Sequence, residues 1–442
     1  MAVDVTSFTL TDLAEAYRQG ALRPTEVTRR YLEKIEVGDT YRVVTADRAL
    51  AQAERAERAF DDGIDRGPLQ GVPLALKDLM DTSDVVTAAG SRVLARGEPA
   101  TEDCPAAARL DAAGAVFLGK TNMTELAFSG IGINPHFGTA GSFFDRARVP
   151  GGSSSGSGVA VADGLACAAV GSDTGGSVRI PAAFNGIVGL KTTDGVIPME
   201  GCVPLSTTLD TLGPMTKTTA DAWALFTVLA DRPYQPLEPL AGPLTLLAPT
   251  TILQEDLEPD VANRFEAACQ LLERAGHRIV HREVPLLDEI RALYHHYGYL
   301  ASHEALALYE ELIGEHGEEM DPRVIHRIME YGHRPAKEYV RLLQARKKVV
   351  GRFWQELEPF AAVLAPTVPI VPPEFAELAE DEAYYRANGL CLRNTSPFNF
   401  LSGPSVSVPA GLTPDGLPVG LMIATPPNSE ALALQIGALL EG

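Results

Sequence analysis

Positive charge is scarce in this chain: 37 lysines and arginines stand against 58 aspartates and glutamates, a formal net charge of −21. Such a surface repels a phosphate backbone, which excludes nucleic acid as the main partner. Long apolar runs are missing as well. No stretch approaches the roughly 18 residues of a membrane span, and MAVDVTSFTLTDLAEAYRQG at the N-terminus lacks a basic region followed by an apolar core. A cytoplasmic protein with no membrane contact is the expectation. Cysteine is sparse: Cys104, Cys167, Cys202, Cys269 and Cys391 are odd in number, widely spaced and form no CxxC pair. Free, buried thiols are predicted, not disulfides or a zinc site. Of nine histidines only His136 precedes residue 277. His295, His296 and His303 share part of a predicted helix face, but no HExxH or other ligand spacing occurs, so no metal is expected.

What is present describes a globular enzyme-sized chain, 442 residues with 45% hydrophobic and 21% charged content. Residues 9–62 read as three helices forming a cap beside the main body, with a glycine stop after TLTDLAEAYRQG and Pro24 opening the second. From Gly71 onward the short apolar runs GVPLALK, AVFLG, ACAAVGS and GIVGLK, bounded by Gly and Pro, predict buried strands of an α/β sheet. Residues 285–358 turn helical, aromatic and charged, and read as an insertion over the site. Strand signals return in AAVLAPTVPIV, PSVSVPAGL and LPVGLMIAT, and NSEALALQIGALLE closes the chain as a helix. Strands on both sides of the helical stretch favour one domain with a helical insertion.

Two Ser/Gly-rich segments, PGGSSSGSG at 150–158 and GSDTGGSVR at 171–179, stand out between the strand signals. Glycine lets several backbone N–H groups converge on one point, as an oxyanion hole requires, and serine supplies hydroxyls there. The second segment follows a strand, where open α/β sheets place ligands. A nucleophilic serine needs a base, and histidine is poorly placed to be one. Lys77, which ends the apolar run GVPLALK, is the alternative. Two formal motif matches are decoys. GAVFLGKT at 114–121 fits the nucleotide-binding pattern GxxxxGK[ST], but its intervening residues look like a strand and not a phosphate cradle. GSSSG at 152–156 fits GxSxG, but Pro150 and RARVPG precede it where an apolar strand belongs.

PGGSSSGSGVAVADGLACAAVGSDTGGSVRIPAAFNGIVGLK, together with GVPLALKD, GKTNMTELAFSG and LPVGLMIA, closely resembles the amidase signature family over most of the chain except residues 240–390. The resemblance implies a single large α/β domain with a central mixed β-sheet covered by helices on both faces. It also implies hydrolysis of a small or medium carboxamide through a Ser-Ser-Lys triad: Ser177 as the acylated nucleophile, Ser153 as a bridging serine at a cis peptide bond, Lys77 as terminal base. By the same likeness the backbone N–H groups of Thr174, Gly175, Gly176 and Ser177 match the oxyanion hole. Met123 matches an acyl-pocket residue; Ser154 and Asp173 are further candidates for substrate contact, although Asp173 and Arg179 also suit a role in bracing the loop. Ser155 departs from the family's usual glycine. No cofactor is implied, the partner is a small-molecule amide, and a homodimer is compatible with this reading. The alternatives are the glutaminase (A-type) subunit of a tRNA-dependent amidotransferase, against which TTDGVIPMEGCVPL after GIVGLK speaks, an allophanate or carboxybiuret type hydrolase, and a catalytically dead binding protein, against which the intact triad speaks.

Overall fold

Short runs rich in Val, Leu and Ala between glycines and prolines build a sheet whose strands are covered on both sides. The computed structural model describes residues 4–441. Its strands are β1 (Tyr41–Val44), β2 (Pro73–Lys77), β3 (Val116–Thr121), β4 (Ala168–Asp173), β5 (Val188–Lys191) and β6 (Thr211–Thr216), then β7 (Thr245–Pro249), β8 (Arg278–Arg282), β9 (Ala362–Pro366), β10 (Ser405–Leu412) and β11 (Pro418–Ala424). They form one 11-stranded sheet in the order β1-β3-β2-β4-β6-β5-β10-β11-β9-β7-β8. The sheet is mixed: β2 runs parallel to β3 and β4, and β7 parallel to β8 and β9, while β4–β6, β6–β5, β5–β10 and β10–β11 are antiparallel.

The two faces are separated by side-chain alternation along β11. Leu421 and Ile423 enter the larger core with Ala433, Leu434 and Ile436 of the helix Glu430–Ala438, whereas Met422 and Ala424 pack with Phe353 and Phe398 on the other side. A Cβ on Gly420 would lie 2.7 Å from Cβ of Ala183, so the helix Arg179–Phe184 sits tight against that second face.

Several expectations need correction. The segment 9–62 is not purely a helical cap: between the helices Pro24–Lys34 and Ala46–Asp61, β1 pairs antiparallel with β3 and forms the sheet edge. Half of the first Ser/Gly-rich segment is a helix, Ser155–Ala162, and the first three residues of the second are the end of β4. Cys202 is only partly buried, unlike the other four cysteines. His295 and His296 lie on the helix Pro285–Tyr297 and His303 on the next helix, Leu300–His316, so the three do not share one helix face. In the decoy GAVFLGKT the residues between the glycines are indeed β3, and Lys120 is buried against Asp78 at 3.1 Å.

Candidate active site

Parallel pairing of β2 with β4, Leu76 opposite Val170, brings the C-terminal ends of both strands to the same edge of the sheet. Lys77 ends one and Ser172 and Asp173 end the other. Apolar PLALK is buried along its whole length, which leaves the Lys77 ammonium no route to water. Its Nζ lies 2.7 Å from Oγ of Ser153 and 2.8 Å from Oγ of Ser172. Burial pushes the Lys77 amine down to about 7, against the opposing pull of Asp173 and Asp210.

Ser153 follows a cis Gly152–Ser153 peptide and precedes the helix Ser155–Ala162. Its carbonyl accepts from Thr124 N–H at 3.2 Å, and the next residue, Ser154, donates its N–H to the Ser177 carbonyl at 3.2 Å. The two Ser/Gly-rich segments are thereby tied to each other. The tie needs Gly171, because a Cβ there would meet Oγ of Ser154 at 2.8 Å.

The turn carrying Ser177 is clamped from below and behind. The Asp173 carboxylate, fully buried, accepts from the N–H groups of Gly176 at 2.8 Å and Val178 at 3.1 Å, from the Arg179 guanidinium at 2.9 and 3.0 Å and from Nδ2 of Asn399 at 2.8 Å. Burial pushes this carboxyl up, but Arg179 and Asn399 outweigh it and hold it well below the usual carboxylate range. Arg179 also donates to the Thr395 carbonyl at 3.0 Å and to Oδ1 of Asn399 at 2.7 Å, and Oγ1 of Thr395 donates to the Gly175 carbonyl at 2.6 Å. Gly176 takes φ +138°, and a Cβ there would sit 2.2 Å from Oγ1 of Thr395. On the other flank Oγ1 of Thr174 donates to Asp210, whose carboxyl is pushed up to about 6 by burial despite accepting from Thr174, Ser206 and Leu205.

Above this turn opens a cavity of about 570 Å³. Thr174, Gly175 and Ser177 face it, as do Phe128, Leu287, Tyr294, Tyr299 and Leu300, with Asn388 and Leu392 from the helix Asp381–Arg393. The helices Pro285–Tyr297, Leu300–His316 and Pro322–Gly332 therefore contribute much of the wall. His295 is on it; His296 and His303 are not.

The residues singled out from the sequence fall into three groups. Lys77 and Ser153 are in hydrogen-bond contact, and Ser177, whose carbonyl accepts from the N–H of Ser154, faces the cavity. Of the four amides in the turn, the Gly176 N–H is committed to Asp173, while those of Thr174, Gly175 and Ser177 donate to no other described group. Met123, Ser154 and Asp173 are buried and, like Lys77 and Ser153, do not line the cavity: Met123 is in the core, Ser154 bonds β4 at Ser172, and Asp173 is saturated by its clamp. Four residues of the site, Ser172, Asp210, Thr395 and Asn399, are absent from the sequence-based expectation. Ser172 is legible in principle: extending β4 through GSD and applying period-two alternation turns its side chain to the face opposite that of Asp173. The other three come from distant segments, and nothing in their own neighbourhoods marks them.

With this geometry in place, likeness to known proteins becomes informative. The family model described as Amidase matches residues 26–434. The chain is 36% identical over 416 residues to the 2-amino-5-chloromuconic acid deaminase of Comamonas testosteroni, covering 91% of this chain and 88% of that protein. It is 34% identical to the A-type subunit of the glutamyl-tRNA(Gln) amidotransferase of Symbiobacterium thermophilum, covering 96% and 94%. Among solved structures, a crystal structure of an amidase superposes with a TM-score of 0.88 at 30% identity, over 98% of this chain and 99% of that one.

Proposed function

The chain belongs to the amidase family and is a hydrolase of carbon–nitrogen bonds, and from that premise we propose that it cleaves a carboxamide through an acyl-enzyme on Ser177. The observation that carries this reading is the buried Nζ of Lys77, 2.7 Å from Oγ of Ser153, with its amine brought down to about 7. An amine at that value is a usable base near neutral pH, where a free lysine is almost wholly protonated.

In this reading Ser172 fixes one N–H of Lys77, so that the lone pair of the neutral amine faces Ser153. Ser153 gives its proton to Lys77 as it takes the proton of Ser177, and Oγ of Ser177 attacks the carbonyl carbon. The N–H groups of Thr174, Gly175 and Ser177, left without partners among the described residues, receive the tetrahedral oxyanion. The relay returns the proton to the leaving nitrogen, the amine or ammonia departs, and water attacks the ester by the reverse path to release the acid. Gly176 serves differently, its N–H holding the turn on Asp173.

Two measurements test this. A serine-directed fluorophosphonate should label Ser177 and leave Ser177→Ala unlabelled. An ammonia-release screen over aliphatic, aromatic, amino-acid and ureido amides should find turnover that Ser177→Ala lacks. Labelling at another serine, or turnover in the variant within tenfold of wild type, overturns the assignment. The 34% likeness to an A-type amidotransferase component supports a second reading, a glutaminase that works inside a complex. Glutamine hydrolysis that rises sharply on adding the other components of such a complex would select it.

A further inference from the structure

Two of the five cysteines, far apart in sequence, meet in the fold. Cys104 is the residue ahead of the helix Pro105–Ala112, and Cys202 lies in the stretch between β5 and β6. Residues 79–81 join them. The Cys104 N–H donates to the Asp81 carbonyl at 3.0 Å, the Asp81 N–H to the Gly201 carbonyl at 2.8 Å, and the Val203 N–H to the Leu79 carbonyl at 2.8 Å. Met80 forms an antiparallel bridge with Cys202 in the same arrangement. The fit is close: a Cβ on Gly201 would lie 2.8 Å from Cβ of Cys104. Here the Cys202 thiol donates to the Cys104 sulfur. The remaining thiols, Cys167, Cys269 and Cys391, are buried, and burial pushes each of them up.

Cys104 is buried, whereas Cys202 is partly open and its neighbours Glu200 and Gly201 are exposed, so a small oxidant reaches the pair from the Cys202 side. The Cys202 thiol holds that of Cys104 below the ordinary thiol value, helped by the N–H groups of Ala107 and Ala106 at the helix start, against burial and the Asp81 carboxylate. Thiolate character beside a second, accessible sulfur is what a peroxide-sensitive pair requires. We propose that Cys104 and Cys202 are a reversible redox site, closed to a disulfide by hydrogen peroxide and reopened by an external dithiol, and that the disulfide pins the segment 199–210 beside the helix Pro105–Ala112. The proton between the sulfurs passes to Cys104, and the Cys202 thiolate attacks peroxide; an S–O bond forms, the O–O bond breaks, and the hydroxide released takes a proton from solvent. The Cys104 sulfur then attacks the sulfenic sulfur. The S–S bond forms, the S–O bond breaks, and the hydroxyl leaves as water with the Cys104 proton. Two sulfurs give up two electrons and one peroxide becomes two waters; in the reverse direction the external dithiol is itself oxidised to a disulfide. The pinned segment carries Leu205 and Leu209 of the cavity wall and Asp210, which accepts from Thr174 in the turn that bears Ser177.

The test treats the whole protein with hydrogen peroxide and quenches it in denaturant. The thiol count should fall by two from five. A digest made without reductant should contain one crosslink, joining residues 104 and 202, and dithiothreitol should restore every thiol. In Cys104→Ser, which cannot close the bridge, Cys202 should stop at the sulfenic acid and take up dimedone. Amide hydrogen exchange across 199–210 should be slower in the oxidised protein by roughly tenfold or more. An unchanged thiol count, a crosslink elsewhere, or oxidation of Cys167, Cys269 or Cys391 in its place overturns the redox site. Unchanged exchange in a protein that carries the crosslink overturns the pinning. If Cys104→Ser fails to fold, the crosslink map of the unsubstituted protein decides by itself.

Discussion

The hydroxyl of Ser172 stands 2.8 Å from Nζ of Lys77, joining the C-terminal ends of two adjacent parallel strands. It is the second of the two hydroxyls on that nitrogen, and it comes from β4, immediately ahead of the turn that carries Ser177.

Ser172→Ala therefore separates orientation from chemistry. Removing an acceptor of a charged group costs about 1.5–3 kcal/mol, so kcat/KM should fall by roughly tenfold to a hundredfold, far less than for Ser177→Ala. Because the lost acceptor favoured the ammonium, the midpoint of the pH–rate profile should also move to lower pH. A variant with wild-type rate and midpoint would make Ser172 a bystander.

Lys77→Met keeps length and apolar packing while deleting the amine. The folded chain holds this lysine at about 7 against an ordinary value of 10.5. Between those values the unfolded chain binds the extra proton, so this residue adds a rise in stability with pH across that window, and below about 7 the fold bears the full cost of a buried ammonium. At pH 6 the variant should melt at the same temperature as wild type or higher, with that rise removed. Its acylation rate should drop by orders of magnitude, and the increase of rate with pH through about 7 should vanish. Near-normal turnover with the same pH profile would show that another group is the base.

Arg179→Met tests the clamp. Taking one partner from a buried ion pair leaves the other charge uncompensated, at a cost of about 3–5 kcal/mol. The Asp173 carboxyl is depressed in the folded state, so its contribution is present above the ordinary carboxylate value and lost as pH falls. Urea unfolding at pH 7 should show the full loss, and the acid-side decline of wild type should be shallower in the variant. A loss below about 1 kcal/mol would contradict the clamp, since it matches the median worth of an exposed pair.

Gly176→Ala places a methyl 2.2 Å from Oγ1 of Thr395 at a φ that L side chains rarely adopt. Turnover should fall at least a hundredfold while the protein remains folded, because the displaced segment is the turn carrying Ser177 and not the core. Combining it with Thr395→Ser removes only a methyl and should not restore activity; Thr395→Gly, which clears the Oγ1 contact, should recover part of it. Full activity in Gly176→Ala would show that the turn has room to shift.

The sequence disclosed the strands whose apolar runs sit between glycines and prolines, and Lys77 at the end of such a run; the two serines of the proposed relay are singled out within their Ser/Gly segments by the family resemblance. It hid β6, TLGPMT, because its Gly and Pro read as punctuation, and β8, RIVHR, because an edge strand half open to solvent has too few apolar residues to announce itself. Contacts with substrate were the least legible part. Met123 and Ser154 are fully buried and off the cavity wall, while much of that wall comes from helices between 285 and 397 whose spacing reports a fold and not a ligand.

The dependence of the Ser177 turn on Asn399 and Thr395 bears on how this chain could ever be divided. A polypeptide ending near residue 240 would contain every side chain proposed to react, together with β1 to β6, yet would lack the partners that hold Asp173, Arg179 and Gly175. Within the sheet the two pieces are joined where Ser405, Val406 and Ser407 pair with Lys191, Leu190 and Gly189. Expressed as separate halves, they should behave as a split enzyme: silent apart, and active in proportion to how often that pairing forms.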